Sequence, residues 1–174
     1  MIDADAIAKK MLELPEVRRD VAAAFGDVET AGRIDHRKLA AAAFRSPSDV
    51  TKLNAIVHPH VAHAIDRQVG TWAAEGFRGL VIVDAALLLE AGMRNAVDEL
   101  VFVEVPDDLR RERARARGWA EGEMERRERL QIPLEEKKKA CGETVWNGGT
   151  VEEMDHLVAG IAARMEKKNA PVRR

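Results

Sequence analysis

Two short, continuous runs of apolar residues constrain the fold of this chain more than any other feature. Residues 79–84 (GLVIVD) end in an acid, and residues 99–105 (ELVFVEV) are rich in β-branched side chains and stop at Pro106. Because neither run alternates between apolar and polar residues, each is predicted to be a strand buried on both faces of a parallel sheet. Amphipathic helical patterns surround them, at about 50–74 and 107–117. This order of strands and helices predicts an α/β fold.

The remaining segments are predicted to be helical, with one further short strand. Residues 121–139 carry many charges and few apolar side chains, which predicts a mobile, solvated helix. A strand at 144–146 and a last helix at about 151–167 follow. The long helical stretch between the strands indicates an inserted helical lobe at residues 20–75. Residues 2–5 are typical of a strand that ends and runs into a helix.

Composition excludes several classes of protein. The 28 Lys and Arg residues nearly balance the 30 Asp and Glu residues, so we expect no general attraction to nucleic acid or to acidic membranes. No apolar run approaches the ~18 residues that a membrane span needs. Cys141 is the single cysteine of the sequence, which excludes an intramolecular disulfide framework and fits a reducing compartment. We therefore expect a cytoplasmic protein.

Three acids stand where carboxylates carry chemistry in other enzymes. Asp3 and Asp5 precede an Ala-rich helix, so one could cap that helix while the other acts as a general base on a hydroxyl. Capping by both acids is the simpler interpretation. Asp84 ends the first apolar run, where phosphoryl-transfer enzymes often hold magnesium directly or through water, although a turn-forming Asp explains it equally well.

Five arginines lie within residues 110–117, opposed there only by Glu112. On a helix, Arg110, Arg113 and Arg117 share one face, and guanidinium groups bind phosphate in a bidentate manner. A surface helix that forms salt bridges with the acids of residues 121–128 is the alternative. Considered alone, the helix favours that alternative.

The histidines do not indicate a metal site. His60 and His63 lie one turn apart, but no third ligand is evident for zinc. The sequence also contains no Gly-x-x-x-x-Gly-Lys-[Ser/Thr] motif, no Gly-x-Gly-x-x-Gly motif and no Gly-x-Ser-x-Gly motif. The standard loops for nucleotide phosphates are therefore not found among these residues.

Taken in order, the segments of this chain resemble the dephospho-coenzyme A kinase family. The resemblance runs from residue 2 to about residue 160 with plausible spacing. It rests on these segments: 3–5 (DAD), Phe25-Gly26, 32–39 (GRIDHRKL), Phe44-x-x-Pro47, 53–59 (LNAIVHP), 83–90 (VDxxLLxE), Arg113-x-x-x-Arg117, Gln131 with Lys137, and Asn147-x-Gly149.

The resemblance implies a P-loop NTPase-like fold, with three layers around a parallel sheet. It implies one kinase-like domain over residues 1–174, with the lobe at 20–75 for the acceptor and a lid at 107–140. The implied reaction transfers the γ-phosphate of ATP to the ribose 3′-hydroxyl of dephospho-coenzyme A (dephospho-CoA), the last step of coenzyme A synthesis. Mg²⁺ would accompany ATP, and the protein would be a monomer or a weak homo-oligomer.

The family motifs also imply roles for individual residues. Asp5 would be the base that accepts the hydroxyl proton. The acceptor side would be lined by residues after the first apolar run and in the lobe: Asp84, Leu87, Leu88, Glu90, His58 and Pro59. ATP phosphates would be contacted by Arg113 and Arg117, and its adenine end by Asn147 and Gly149. No metal ligand is assigned with certainty, since Asp84 would act at most through water.

The chain departs from the family pattern at its start. The family opens with a strand, a Gly-rich Walker A loop and a helix, and Met1 falls where that segment would already have ended. The first strand and P-loop are thus expected to be missing, either from a shortened ordinary enzyme or from a non-catalytic module that binds coenzyme A or a partner. The first alternative is favoured because Asp5, Arg113 and Arg117 remain, and it predicts poor turnover of ATP. A different nucleoside monophosphate kinase would fit the His58-Pro59 pair less well.

Overall fold

The computed structural model describes residues 1–169, and the chain separates into two compact units that divide after residue 93. Each unit contains a parallel pair of strands together with helices, as the predicted α/β class requires. The predicted domain extends to residue 174, and residues 170–174 lie outside the described residues. The boundaries of the predicted lobe and lid stay predictions.

The first unit is built from helices and two pairs of short strands. Its elements in chain order are β1 (Ile2–Asp3), α1 (Ala4–Met11), α2 (Pro15–Phe25), β2 (Glu29–Thr30), β3 (Arg33–Ile34), α3 (His36–Ala43), α4 (Pro47–Ala74) and β4 (Val83–Asp84). β1 pairs in parallel with β4, so that Ile2 lies opposite Val83 and Asp3 lies opposite Asp84. The carboxyl ends of two neighbouring strands therefore place two acidic residues at one edge.

A hairpin of β2 and β3, which the sequence pattern does not predict, interrupts the helices. The strands are antiparallel, with Glu29 opposite Ile34 and Thr30 opposite Arg33. Ala31 and Gly32 form the turn with φ angles of 51° and 73°, and a two-residue type I′ turn needs positive φ at both positions. Because each strand is only two residues long, the sequence offers no alternating pattern to reveal it.

The apolar core of the first unit lies where α1, α2 and α3 pack against α4. Val17 and Val21 of α2 and Ala43 of α3 are completely buried. α4 buries the predicted apolar stripe, including Val57 and Val61. This packing fixes which face of α4 points away from solvent.

The second unit pairs two parallel strands and adds four helices. A 3₁₀ turn at Met93–Ala96 precedes them, and the elements are β5 (Val101–Glu104), α5 (Asp107–Ala116), α6 (Glu123–Glu128), α7 (Leu134–Ala140), β6 (Glu143–Trp146) and α8 (Val151–Asn169). β5 and β6 pair from Val101 opposite Glu143 to Glu104 opposite Trp146. α8 packs on β6, and Val145 and Ile161 are buried. No helix within residues 1–169 is long and apolar enough to span a membrane.

The two apolar runs are less buried than predicted. Only Val83–Asp84 of the run at 79–84 is a strand, and Ile82 is 56% exposed. In β5, Val103 is 54% exposed. The prediction of burial on both faces is therefore wrong for these side chains within the described residues. Each of the two strands pairs with one other strand there, and continuous apolarity does not specify how many neighbours a strand has.

The charged segment at 121–139 forms two helices rather than one. α6 and α7 are separated by residues 129–133, which end at Pro133. Proline disfavours helical geometry in the residue before it, which explains the break at Ile132. The sequence pattern gave the helical character of this segment but missed its interruption.

Candidate active site

A mostly apolar cavity of about 170 Å³ lies in the first unit, lined by α1, α4 and the segment that follows β4. Four predicted site residues line it: Asp5, predicted as the base, and three residues predicted for the acceptor side, His58, Leu87 and Leu88. Turns hold the segment after β4 in place, because the amide of Met93 donates to the carbonyl oxygen of Leu88 at 3.1 Å. The polar residues lining this cavity are Asp5, Asn54 and His58.

Asp3 and Asp5 have different surroundings in the structure. Asp3 caps α1, and its Oδ1 accepts a hydrogen bond from the amide of Ala6 at 2.8 Å. Asp5 lies in the first turn of α1, where its side chain is exposed and lines the cavity. Within residues 1–169, no hydrogen bond or ion pair to the Asp5 carboxylate is present. One acid is thus used by the helix while the other is available to a ligand.

Asp84 lies at the end of β4, directly opposite Asp3, and is exposed. It does not line the cavity. In open α/β sheets, ligands bind beyond the carboxyl ends of the strands, which is where this residue stands. Within the described residues, no group of three or more His, Cys, Asp or Glu side chains is arranged to hold a metal ion. A role for Asp84 through water stays a prediction.

His58 and Pro59 are neighbours on α4 but have different surroundings. His58 is half-buried and lines the cavity, whereas Pro59 is exposed and does not. Burial lowers the pKa of His58 below its ordinary value, and the negative charge of Glu90 partly opposes this effect. Glu90 itself is half-buried, with its Oε2 atom inaccessible to solvent. The negative charge of Glu90 is therefore close enough to influence His58, while Pro59 lies outside the cavity.

In the second unit, two residues predicted to contact the nucleotide are hydrogen-bonded to each other. Nη2 of Arg113 on α5 donates to Oδ1 of Asn147 at 3.3 Å. The amide of Asn147 donates to the carbonyl oxygen of Glu104 at 2.7 Å, so the loop after β6 is tied to β5. Arg117 ends α5 and is exposed. Gly149 is also exposed, two residues beyond Asn147.

The arginine row separates into paired and unpaired members. Arg110 contacts Asp107 at 2.7 Å and Glu128, and Arg111 contacts Asp107 at 2.9 Å and Glu125. These contacts confirm the salt-bridged alternative for these two arginines. Pro106 holds the cap position of α5, and no side chain caps that helix end. Within residues 1–169, Arg113 and Arg117 form no ion pair with an acid.

The match to known proteins supplies the decisive observation. The family model described as dephospho-CoA kinase matches residues 1–153. The chain belongs to the dephospho-CoA kinase family. The resemblance inferred from the motifs is confirmed, and this kinase is an ATP-dependent phosphotransferase of coenzyme A biosynthesis.

Curated relatives match most of the kinase. A dephospho-CoA kinase of Deinococcus radiodurans is 36% identical over 167 residues, covering 95% of this chain and 80% of the relative. A dephospho-CoA kinase of Geobacillus kaustophilus is 37% identical over 165 residues, covering 92% of this chain and 82% of the relative.

Solved structures share the fold of the kinase. A crystal structure of a Thermus thermophilus protein superposes with a TM-score of 0.73 at 28% identity, covering 94% of this chain and 83% of that one. A dephospho-CoA kinase from Campylobacter jejuni superposes with a TM-score of 0.64 at 22% identity, covering 97% of this chain and 85% of that one, and shows the fold alone. The α/β class with parallel strands is thereby confirmed.

Two features of the kinase were not given a role by the sequence pattern. Asn54 lines the cavity one helical turn before His58, and the i, i+4 spacing of the two is the signal that could have revealed it. Lys137 is a buried lysine whose Nζ donates to Oε1 of Gln131 at 2.9 Å. Both residues of that pair belong to a family segment, and the bond links α7 to the residues that precede it.

Proposed function

We propose that this kinase transfers the γ-phosphate of ATP to the ribose 3′-hydroxyl of dephospho-CoA, with Asp5 as the general base. The observation that carries the proposal is the pairing of roles at the start of α1. Asp3 satisfies the helix end, at 2.8 Å from the amide of Ala6, and leaves the Asp5 carboxylate at the rim of an apolar cavity. A carboxylate in this position can accept a hydrogen bond from a sugar hydroxyl.

The chemistry asked of Asp5 is modest. The 3′-oxygen forms a bond to the γ-phosphorus of ATP, the bond from that phosphorus to the β-bridging oxygen breaks, and ADP leaves. The hydroxyl proton passes to the Asp5 carboxylate and then to solvent. Orientation of the hydroxyl and removal of its proton typically contribute a factor of about 10²–10⁴ to the rate.

The nucleotide side of the proposal rests on the second unit. Arg113 and Arg117 would contact ATP phosphates, because their guanidinium groups are not neutralised by acids of residues 1–169, unlike those of Arg110 and Arg111. Asn147 and Gly149 would contact the adenine end. Guanidinium groups stabilise the charge that spreads over the phosphate oxygens in the transition state.

The residues present fit a hydrated Mg²⁺ ion that arrives with ATP. Mg²⁺ usually keeps several waters and is held by one or two carboxylates plus substrate phosphates, so no cluster of three protein ligands is required. Asp84 is exposed at the carboxyl end of β4 and would hold such an ion through water. When bound, the ion would neutralise charge on the phosphate groups.

The proposal extends to the organisation and setting of the protein. We include a P-loop NTPase-like three-layer arrangement, the acceptor lobe at 20–75 and the lid at 107–140. A cytoplasmic location, a monomer or weak homo-oligomer and the lack of a nucleic-acid partner are retained from composition and from the net charge of −2. Since the 174 residues contain no Walker A motif, we expect slow turnover by this chain on its own.

The test measures ADP formation that depends on dephospho-CoA, in single-turnover mode, alongside calorimetric binding of dephospho-CoA. Asp5→Asn is expected to lower the transfer rate by about 10²–10⁴ while leaving the Kd for dephospho-CoA within about twofold. Asp66→Asn, which removes the same charge from an exposed position of α4, is the matched control and should change neither value. Equal rates for the wild-type chain and Asp5→Asn would contradict the role of Asp5. Binding of dephospho-CoA without any phosphate transfer would favour the non-catalytic module instead.

A further inference from the structure

We propose that the cavity beside Asp5 binds the adenine ring of the acceptor nucleotide, and that the side-chain amide of Asn54 selects adenine over guanine. The inference rests on the proposed function, since it names the part of dephospho-CoA that this site holds. It adds a specificity-determining residue to the base Asp5.

The first support is the position of two polar side chains in an apolar wall. Asn54 and His58 lie one turn apart on α4, both are half-buried, and both line the cavity. Within residues 1–169, neither the Asn54 amide nor the His58 ring makes a hydrogen bond to the protein. Solvent still reaches the polar atoms of both side chains, so a ligand with donors and acceptors can hydrogen-bond to them in place of water.

The second support is the cost of asparagine at this position. Asn54 lies inside a helix that runs from Pro47 to Ala74, and asparagine is a poor helix former compared with alanine or leucine. The neighbouring Leu53 and Val57 line the same cavity and are apolar. The Asn54 amide is unfavourable for the helix and has no partner within residues 1–169. Its presence is explained if it binds a ligand in the cavity.

The connectivity of the substrate decides which part occupies the cavity. The adenine ring and the 3′-hydroxyl are attached to the same ribose, whereas the pantetheine arm is separated from that ribose by a diphosphate. If Asp5 receives the 3′-hydroxyl proton, the adenine ring lies beside Asp5 at the rim of the cavity. Asp5 is the charged residue lining the cavity and is negative, so the diphosphate is repelled from it.

The size and surface of the cavity agree with a single flat ring. Its volume of about 170 Å³ is well below the roughly 300–1,000 Å³ of sites that enclose a drug-sized ligand. Leu87 and Leu88 from the segment after β4 and Val57 from α4 provide apolar surfaces on different sides. A purine ring buries two apolar faces and keeps its polar atoms at the edge, which matches this distribution.

The chemistry of the amide gives the direction of selectivity. An asparagine side chain offers one acceptor and one donor side by side, and adenine presents N6–H as donor and N7 as acceptor, so the pair forms two hydrogen bonds. Guanine presents two acceptors at the same edge, O6 and N7, and opposes its O6 to the amide oxygen. His58 adds a donor and an acceptor, because its lowered pKa keeps the ring neutral at pH 7.

The experiment titrates the full 174-residue chain with three probes by calorimetry: dephospho-CoA, its guanine counterpart, and 4′-phosphopantetheine, which lacks the nucleoside. The wild-type chain is expected to bind the adenine compound at least about tenfold more tightly than the guanine compound. Asn54→Leu, which keeps the approximate shape but has neither a donor nor an acceptor, should reduce that ratio to near one. Asn54→Ala should do the same with a smaller side chain.

Gln68→Leu is the matched control, because it removes a side-chain amide in the same way at an exposed position of the same helix. It should leave the ratio unchanged. Retention of the wild-type ratio in both Asn54 variants would overturn the inference but not the proposed function. The inference would also be overturned if these variants weakened the binding of 4′-phosphopantetheine as much as that of dephospho-CoA, because the pantetheine arm would then occupy the cavity. A wild-type chain that does not bind dephospho-CoA at millimolar concentration would overturn the proposed function and the inference together.

Discussion

Arg113 and Asn147 are joined by a hydrogen bond of 3.3 Å that links α5 to the loop after β6. The bond leaves the remaining donors of the Arg113 guanidinium for other partners, since a guanidinium carries five N–H groups. The bond therefore holds together two residues that are 34 positions apart in the sequence. Any nucleotide that contacts one of them is expected to depend on the other.

The first prediction concerns ATP binding. Arg113→Ala removes a guanidinium that has no acidic partner within residues 1–169, and loss of a hydrogen bond to a charged group costs about 1.5–3 kcal/mol. We expect the Kd for ATP to rise by at least about tenfold in a fluorescence titration. Arg115→Ala on the same helix is exposed and serves as the control, with little change expected. An equal rise in both variants would mean that only the general positive charge of α5 matters.

A second prediction tests the division of roles between Asp3 and Asp5. Asp3→Ala removes the acceptor for the amide of Ala6 and should lower the free energy of unfolding by about 1 kcal/mol. Asp3→Asn keeps an acceptor that caps helices equally well and should cost little. Urea unfolding followed by circular dichroism measures both. Equal losses in the two variants would show that the charge of Asp3, and not its cap, stabilises α1.

The order of these acids shows what the sequence could predict. The motif placed both near the start of a helix, and capping by one of them is confirmed. Which of the two caps depends on where the helix begins, and a shift of one or two residues would exchange their roles. That position is set by the pairing of Ile2 and Asp3 with β4, a contact distant in sequence.

The residues that line the cavity also show how far the sequence alone could predict the site. Residues His58, Leu87 and Leu88 were predicted for the acceptor side from motifs and line one cavity in the structure. Pro59 was predicted with them and points elsewhere, because adjacent residues on a helix face different directions. The sequence pattern missed Asn54 because its position in the cavity depends on the packing of the segment after β4 against α4. A local sequence pattern does not predict packing between segments that are distant in the sequence.

A third prediction follows from the lowered pKa of His58, which burial causes and the charge of Glu90 partly offsets. The folded state binds a proton at His58 less readily than the unfolded state, whose value is near 6.5. The stability contributed by the neutral ring is therefore present above that value and is lost as the pH falls below it. Measured between pH 7.5 and 5.5, the free energy of unfolding should fall less for His58→Gln than for the wild-type chain.

His63→Gln, at an exposed position of the same helix, is the control for this experiment. Its pH dependence should match that of the wild-type chain. If His58→Gln loses stability with falling pH as steeply as the wild type, other groups would account for the dependence and the burial of His58 would not contribute.

A fourth prediction uses two glycines near α8 that should respond in opposite directions. Thr150 and Glu153 cap the start of α8 reciprocally, with Oε2 of Glu153 accepting from the amide of Thr150 at 2.8 Å and Oγ1 of Thr150 accepting from the amide of Glu153 at 3.2 Å. A Cβ at Gly149 would overlap with that Oε2. Gly149→Ala should displace the Glu153 side chain and lower stability by about 0.5–1 kcal/mol.

Gly160 lies within α8, where a Cβ would meet only Nη1 of Arg164 at 3.7 Å. Gly160→Ala should raise stability by up to about 1 kcal/mol, because alanine is the better helix former. Thermal unfolding of both variants provides the comparison. A gain in stability for Gly149→Ala would show that the reciprocal cap does not depend on the space beside Gly149.

Pro59 leaves α4 without one helical hydrogen bond, immediately after His58. Proline has no amide hydrogen, so the carbonyl of Ala55 receives no helical hydrogen bond from it, and the ring disfavours a straight helix at that point. Buried residues anchor α4 on both sides of the proline, Val57 before it and Ile65 after it. Asn54 and His58 are therefore held in position by core packing at a place where the helix itself lacks a hydrogen bond.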